Sequence, residues 1–107
     1  MELKQYGIFW VNLEPIKGHE MGKKRPCVVI SPDEMNRYIK TVMIAPITTK
    51  SKKYPTRVQI DLKGKECWIV LDQIRTVDRE RLENEEGMLS REAVSKVKRI
   101  IKEMLVD

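Results

Sequence analysis

One alternating segment and the turn that follows it constrain the fold of this chain most strongly. Polar and apolar residues alternate from Thr56 to Leu62, which is the pattern of a β-strand with one buried face and one solvated face. Lys63-Gly64-Lys65 supplies a tight turn, and the largely apolar run from Glu66 to Arg75 predicts a single antiparallel partner strand. The chain is therefore expected to build an antiparallel sheet around this hairpin.

Three further runs predict the rest of the sheet. Aromatic and β-branched residues are concentrated in Gly7–Leu13, in Pro26–Ile30 and in Thr41–Ile47, as is typical of strands. Pro46 has no backbone N–H, so we expect its position to lie at a sheet edge or at a bulge. Together with the hairpin, these runs predict five strands.

Two serines predict the starts of helices. Ser31-Pro32-Asp33-Glu34 has the form of a capping box, and it predicts a short helix that ends near Tyr38. Ser90 is expected to cap a terminal helix that runs through Glu103 or beyond, because apolar residues recur there at a spacing of three or four.

The remaining segments complete a fold prediction. Asp78–Leu82 is interpreted as a helical turn, and Glu83–Met88 as an acidic loop. Short strands, tight turns and a terminal amphipathic helix favour a mainly-β domain over residues 1–107, built as a small, strongly bent antiparallel sheet or partial barrel with the helix packed on it.

Several classes of protein are disfavoured by what the chain lacks. Cys27 and Cys67 lie in apolar strand-like runs without CxxC spacing, and His19 is the only histidine. A metal site or a redox dithiol therefore has little support, and we expect reduced core thiols and no cofactor. No apolar run approaches the roughly 18 residues that span a bilayer, and the N-terminus lacks the apolar stretch of a signal peptide. These features predict a cytoplasmic protein that does not enter a membrane.

The positive charge is concentrated in the strand-rich part of the chain. The formal net charge is +5, yet residues 1–75 carry fourteen Lys and Arg against eight Asp and Glu. Basic residues cluster in two loops, one at Lys23, Lys24 and Arg25 and the other at Lys50, Lys52, Lys53 and Arg57. Two basic loops suit a polyanion such as RNA. A basic face that only maintains solubility explains the same charge equally well.

The loop before the second strand carries residues suited to phosphate chemistry. Metal-free cleavage of RNA needs a base for the 2′-hydroxyl proton, an acid for the leaving 5′-oxygen and cations for the phosphorane charge. His19 can serve as base or acid near neutral pH, Glu20 can orient it or act as the base, and Arg25 can bind phosphate oxygens. Thr48, at the end of the third strand, can hydrogen-bond the scissile phosphate.

Each of these residues also has a simpler interpretation. His19 fits an exposed bystander in a polar loop, Arg25 fits an ion pair with Glu20 or Asp72, and Thr48 fits a β-former at a strand end. The two tryptophans, Trp10 and Trp68, fit core or interface positions better than base-stacking platforms. Residue chemistry alone leaves these alternatives open.

Three motifs in order resemble a known family. They are Gly7–Ser31 (GIFWVNLEPIKGHEMGKKRPCVVIS), Ala45–Thr49 (APITT) with Tyr54-Pro55 downstream, and Val70–Leu82 (VLDQIRTVDRERL). On these segments the chain resembles the MazF/PemK family of toxin–antitoxin ribonucleases. The resemblance implies an SH3-like or CcdB-like barrel, a homodimer, and cleavage of single-stranded RNA at short sequences without metal, leaving a 2′,3′-cyclic phosphate and a 5′-hydroxyl.

The resemblance also implies site residues. The family's G-x-x-R-P arginine is Arg25 and its threonine after the A-x-I strand is Thr48, usually taken as the catalytic pair. His19 and Glu20 match residues that PemK-like members add to catalysis, and Val70 stands where those members carry an arginine, which favours the Arg25 and Thr48 version of the mechanism. The expected RNA contacts are Lys23, Lys24, Thr49, Lys50, Lys52, Lys53, Arg57, Asp72 and Gln73.

A partner and two rival functions follow as well. Such toxins are neutralised by a small MazE- or PemI-like antitoxin with an acidic, disordered tail, which a basic groove suits by charge. The rivals are a non-enzymatic inhibitor of the gyrase-poison type on a similar fold and a passive RNA-binding barrel. The complete set of motifs favours the growth-inhibiting nuclease over both.

Overall fold

Seven antiparallel strands form one curled, half-barrel sheet in the computed structural model, which describes residues 2–106. The strands are β1 (Gly7–Asn12), β2 (Lys24–Val29), β3 (Thr41–Thr48), β4 (Arg57–Leu62), β5 (Lys65–Val70), β6 (Arg75–Asp78) and β7 (Leu82–Met88). The helices are α1 (Asp33–Tyr38) and α2 (Arg91–Leu105), and 3-10 turns lie at Leu71–Gln73 and Arg79–Arg81. The predicted fold class, a mainly-β partial barrel with a C-terminal helix, is confirmed.

The strand β3 organises the sheet. The order is β4-β5-β3-β2-β1-β7, and β6 pairs with β3 as well. One edge of β3 is paired with β2, while the opposite edge is shared between β6, which pairs with Thr41–Ile44, and β5, which pairs with Ile47 and Thr48. The strands β4 and β7 are the two ends of this path.

The sheet is buried on both faces, which explains its continuous apolar runs. Side chains alternate along the strands, so that Phe9 and Cys27 belong to one core while Ile8 and Val28 belong to the other. The second core includes Val97 and Ile100 of α2, which lie among buried side chains of β3, β4 and β5. The thiols of Cys27 and Cys67 are free and buried, as predicted.

Two segments differ from their predicted form. The run Glu66–Arg75 is not one strand, because the 3-10 turn Leu71–Gln73 divides it into β5 and β6. Glu83–Met88 is not a loop, because it forms most of β7 and pairs with β1. Six of the seven β7 residues are at least partly exposed at the end of the sheet, and the four from Glu83 to Glu86 are polar. The strand therefore lacks the apolar alternation by which a strand is recognised in sequence.

Pro46 lies inside the central strand and not at a sheet edge. The backbone O of Met43 accepts from Ile30 N at 2.8 Å, so the odd-numbered residues of β3 direct their backbone groups toward β2 and Pro46 faces the opposite side. That side is where β6 pairing has ended at Ile44 and β5 pairing begins at Ile47. The missing N–H therefore falls in the gap between two partner strands.

Ser31 is buried and does not cap α1. The helix begins after Pro32, which makes no side-chain cap. Ser31 Oγ instead donates to Asn36 Oδ1 and accepts from Met43 N at 3.1 Å, while Asn36 Nδ2 donates to Ser31 O at 2.8 Å and to Leu3 O at 3.1 Å. The polar groups of both side chains are thereby satisfied, and they join α1 to β3 and to the N-terminal segment.

The predicted cap of the terminal helix is confirmed and gives a stability test. Ser90 Oγ accepts from Ala93 N at 3.1 Å. We expect Ser90→Ala to lower the free energy of unfolding by about 1 kcal/mol, because a backbone N–H at the helix start loses its acceptor. Urea denaturation measures the change. The control is Ser95→Ala, which removes a hydroxyl from an exposed position inside the helix and should not destabilise it; equal losses in both variants would contradict the capping role.

Candidate functional site

Arg25 and Thr48 lie in the same cleft. The register of β2 and β3 pairs Cys27 with Pro46, and extending it by two residues places Arg25 opposite Thr48 on the same face of the sheet. Both line a cleft of about 370 Å³ whose other lining residues are Trp10, Lys24, Pro26, Ile47, Thr49, Leu62, Lys63, Lys65, Cys67 and Glu86. The pair proposed from the motifs is thus brought together by strand pairing.

The Arg25 guanidinium is anchored through one nitrogen. Its Nε donates to Gly22 O at 2.9 Å, and within residues 2–106 no other hydrogen bond or ion pair is formed by its two terminal nitrogens. A side chain at Gly22 would crowd this turn, because its Cβ would approach the side chains of Glu14 and Ile16 to 2.8 Å. The turn holds Arg25 in place while leaving two donor groups for a phosphate.

Thr48 is nearly buried and its side chain is fixed. Its exposed fraction is 8 %, and Oγ1 accepts from Lys50 N at 3.1 Å and lies 3.3 Å from Lys50 O. These contacts with the backbone hold the hydroxyl at the end of β3. Thr49, which follows it, lines the same cleft.

His19 and Glu20 lie in a second cleft and not with Arg25. This cleft, of about 430 Å³, is also lined by Met21, Pro46, Asp72, Gln73, Ile74 and Arg75. Gln73 Oε1 accepts from Met21 N at 2.9 Å, which ties the loop between β1 and β2 to the turn after β5. Glu20 Oε1 accepts from Lys17 N at 2.6 Å, and His19 is exposed. The four residues proposed for catalysis are therefore divided between two clefts.

Asp72 is paired with Arg57, so the suggested alternative of an Arg25–Asp72 ion pair is wrong. Arg57 Nε lies 3.2 Å from Asp72 Oδ1, and Thr56 Oγ1 donates to the same oxygen at 3.0 Å. Arg57 also donates to Ser51 Oγ at 2.7 Å and lies over the Tyr54 ring, 4.7 Å from its centroid. Partial burial acts to raise the pKa of Asp72, but the hydrogen bonds from Arg57 and Thr56 outweigh it and hold that pKa below its usual value.

The basic residues predicted to contact RNA are spread over the surface. Lys24 lines the Arg25 cleft and forms an ion pair with Glu83 at 3.1 Å. Lys23, Lys50, Lys52 and Lys53 are exposed and do not line either cleft. They extend the positive surface around Thr48 and Arg25 without forming part of the clefts.

Sequence reasoning missed the polar and aromatic residues Trp10, Lys63, Lys65 and Glu86 of the Arg25 cleft. Trp10 alternates with the core residues Phe9 and Val11, and its partner across the strand pair is Pro26, which lines the same cleft. Lys63 and Lys65 flank the hairpin turn. The position of Glu86 depends on the register of β7, which was not predicted as a strand.

Comparisons with known proteins identify the family of this chain. Residues 4–105 match the family described as PemK-like, MazF-like toxin of type II toxin-antitoxin system. The chain belongs to this family. It is 37% identical over 103 residues to endoribonuclease EndoA of Bacillus subtilis (strain 168). That alignment covers 91% of this toxin-family chain and 89% of EndoA.

Solved structures of MazF proteins share the fold. MazF of Deinococcus radiodurans (Form-I) superposes with a TM-score of 0.84 at 26% identity, over 95% of this toxin-family chain and 94% of that one. An endoribonuclease from a mycobacterial species, solved in complex with its cognate antitoxin, superposes at 0.80 with 18% identity, over 95% and 93% of the two chains. The latter likeness concerns the fold alone.

Two further properties of this toxin-family chain concern metals and membranes. Among residues 2–106, no three His, Cys, Asp or Glu side chains are grouped so that they could hold a metal ion. In the same part of the chain, no helix has the length and apolar character needed to cross a bilayer.

The Arg57–Asp72 pair predicts a pH-dependent contribution to stability. A carboxyl whose pKa is lowered by folding stabilises the fold above its unfolded pKa of about 3.9, and this contribution is lost as the pH falls through the folded pKa. We therefore expect Asp72→Asn to be less stable than the unmodified chain at pH 7, by up to about 1 kcal/mol, with the difference vanishing in strong acid. Urea denaturation across pH 2–7 measures it.

The matched control for this pH series is Glu66→Gln. Glu66 is exposed on the same hairpin and is not the partner of any described cation. Its substitution should change stability little at any pH, and a difference for Asp72→Asn that does not depend on pH would contradict the ionic origin of the effect.

Proposed function

We propose that this chain is a metal-independent endoribonuclease that cleaves single-stranded RNA at the Arg25 cleft and inhibits growth as the toxin of a toxin–antitoxin pair. The observation that carries the proposal is the convergence of Arg25 and Thr48 in one cleft with Lys24, Lys63 and Lys65. The relative named an endoribonuclease supports the reaction class.

In the proposed reaction, the ribose 2′-oxygen attacks the neighbouring phosphorus and the bond from phosphorus to the 5′-oxygen breaks. The 2′-oxygen gives its proton to water and the leaving 5′-oxygen takes a proton from water, so that a 2′,3′-cyclic phosphate and a 5′-hydroxyl result. Arg25 offers two parallel N–H groups to the phosphorane oxygens, whose charge is greatest in the transition state. Thr48, at the end of the neighbouring strand β3, positions the phosphate.

The second cleft is assigned to RNA beside the cleaved bond. His19 and Glu20 line it with Gln73 and Arg75, and Pro46 of β3 lines it too, two residues before Thr48 of the Arg25 cleft. A strand of RNA that crosses β2 and β3 would contact both clefts. Asp72 and Gln73 shape this second cleft.

The remaining parts of the proposal concern assembly and location. We infer a homodimer in the cytoplasm, neutralised by a MazE-like antitoxin with an acidic tail. Support for the antitoxin comes from a solved MazE–MazF complex of Deinococcus radiodurans, whose chain superposes with a TM-score of 0.81 at 26% identity over 98% of this chain and 96% of that one. The net charge of +5 suits an acidic partner.

Arg25→Ala is expected to abolish cleavage while the protein stays folded. The loss of a bidentate phosphate ligand should lower the rate by at least about 100-fold, measured on a long single-stranded RNA in excess EDTA with the product ends mapped. Arg99→Ala, which removes an exposed guanidinium from α2, is the control. Wild-type cleavage by a folded Arg25→Ala protein would reject the proposal, and RNA binding without cleavage by the unmodified protein would favour the passive barrel.

His19→Ala separates proton transfer from RNA binding. Because His19 lies outside the Arg25 cleft, we expect the variant to raise KM and to leave the shape of the pH–rate profile of kcat unchanged. Single-turnover rates measured between pH 5 and 9 test this. Loss of one limb of the profile would assign His19 to acid–base catalysis instead.

A further inference from the structure

An acidic side chain lies in the cleft that is proposed to hold a phosphate. Glu86 is the only carboxylate among the described residues that line the Arg25 cleft. A negative charge there repels the RNA backbone, so its presence needs a reason other than phosphate binding. Its own contacts supply one.

The backbone places Glu86 in the cleft through an irregularity in β7. Ile8 pairs with Gly87 and Phe9 pairs with Glu85, so Glu86 is the extra residue of a β-bulge between them. Gly87 has a φ of 132°, a conformation that favours glycine. Bulges redirect a side chain away from the regular alternation of the strand, and they are frequent beside active sites.

Two donors hold the carboxylate of Glu86. Trp10 Nε1 donates to Oε1, and Lys63 Nζ forms an ion pair with Oε2. The Glu86 side chain is only 18 % exposed, whereas that of Lys63 is 70 % exposed. Hydrogen bonds from Lys63 and from Trp10 lower the pKa of Glu86, so the carboxylate is ionised at neutral pH and acts only as an acceptor.

Glu86 and Lys63, held together with Trp10, present a pattern of hydrogen-bond acceptors and donors that matches guanine. Each oxygen of the carboxylate has already accepted one hydrogen bond and has one lone pair left, while the ammonium group of Lys63 has further N–H groups. The Watson–Crick edge of guanine carries two adjacent donors, N1–H and N2–H, beside the acceptor O6. Adenine and cytosine carry a single amino group on this edge, and uracil carries a single N–H between two carbonyl oxygens.

We propose that Glu86, Lys63 and Trp10 form a guanine-specific subsite next to the scissile phosphate. Glu86 accepts from N1–H and N2–H, Lys63 donates to O6, and Trp10 provides an apolar surface for the base, as single-stranded RNA recognition commonly requires. The subsite fixes which sequence is cut, and Arg25 and Thr48 break the bond. This inference rests on the proposed ribonuclease function.

The test compares cleavage of RNA oligonucleotides that differ only in the bases flanking one cut position. We expect the unmodified protein to prefer guanine at one of these positions, and Glu86→Gln to lose about tenfold or more of that preference relative to adenine, because an amide cannot accept two hydrogen bonds side by side. Glu85→Gln is the matched control, since Glu85 is the exposed neighbour on the same strand. It should keep the preference and the rate.

Replacing the guanine by inosine tests the N2 amino group alone. Inosine retains N1–H and O6, so the unmodified protein should cut the inosine RNA several-fold more slowly, while Glu86→Gln should cut both RNAs at similar rates. A uniform loss of rate by Glu86→Gln on all four bases would overturn the subsite and give Glu86 a role in catalysis. An unchanged base preference would overturn it as well.

A binding measurement keeps the subsite testable apart from cleavage. Oligonucleotides with a 2′-deoxy nucleotide at the cut position cannot undergo attack, and fluorescence anisotropy reports their affinity. Tighter binding of the guanine oligonucleotide than of the inosine one, lost in Glu86→Gln, supports the subsite even if no cleavage is seen. Cleavage without guanine discrimination in either assay leaves the ribonuclease proposal standing and rejects the subsite.

Discussion

The pairing of β2 with β3 is the constraint on which the rest of the structure depends. A shift of one residue in that register would move Arg25 to the face opposite Thr48, because side chains alternate along a strand. The register is fixed by burial on both faces, since Cys27 and Val29 belong to one core and Val28 and Ala45 to the other. Two cores thus fix the relative position of the two residues that are proposed to be catalytic.

The central position of β3 also explains why Pro46 is tolerated there. A proline in the middle of a fully paired strand leaves a carbonyl without its donor, yet here the pairing partner changes from β6 to β5 at the same point. The 3-10 turn Leu71–Gln73 is the connection that makes this change possible. It also presents Asp72 to Arg57 and Gln73 to the loop that carries His19 and Glu20.

Much of the fold was predictable because alternation and apolar runs are direct consequences of burial. The hairpin, β1 to β3 and the cap at Ser90 follow from such patterns, and so does the pair Arg25 and Thr48 once the motifs are compared with a family. The strand β7 could not be predicted from its pattern, because an exposed edge strand has no apolar face to encode it. Ser31 was misassigned because a capping box and a buried hydroxyl bonded to Asn36 share the same local sequence.

The Arg25 cleft is where the half-barrel remains open. The strands β4 and β7 end the path of the sheet, and the hairpin turn after β4 is joined to β7 through the ion pair of Lys63 with Glu86. Lys63 and Gly64 both have positive φ, 52° and 82°, as a two-residue hairpin turn requires. An ion pair with one exposed partner contributes little to stability. The position of the Lys63–Glu86 pair across the open side is therefore better explained by a role toward the RNA that this opening is proposed to admit. A polar bridge that remains partly solvated keeps lone pairs and N–H groups for a base, whereas a closed row of backbone hydrogen bonds would offer none.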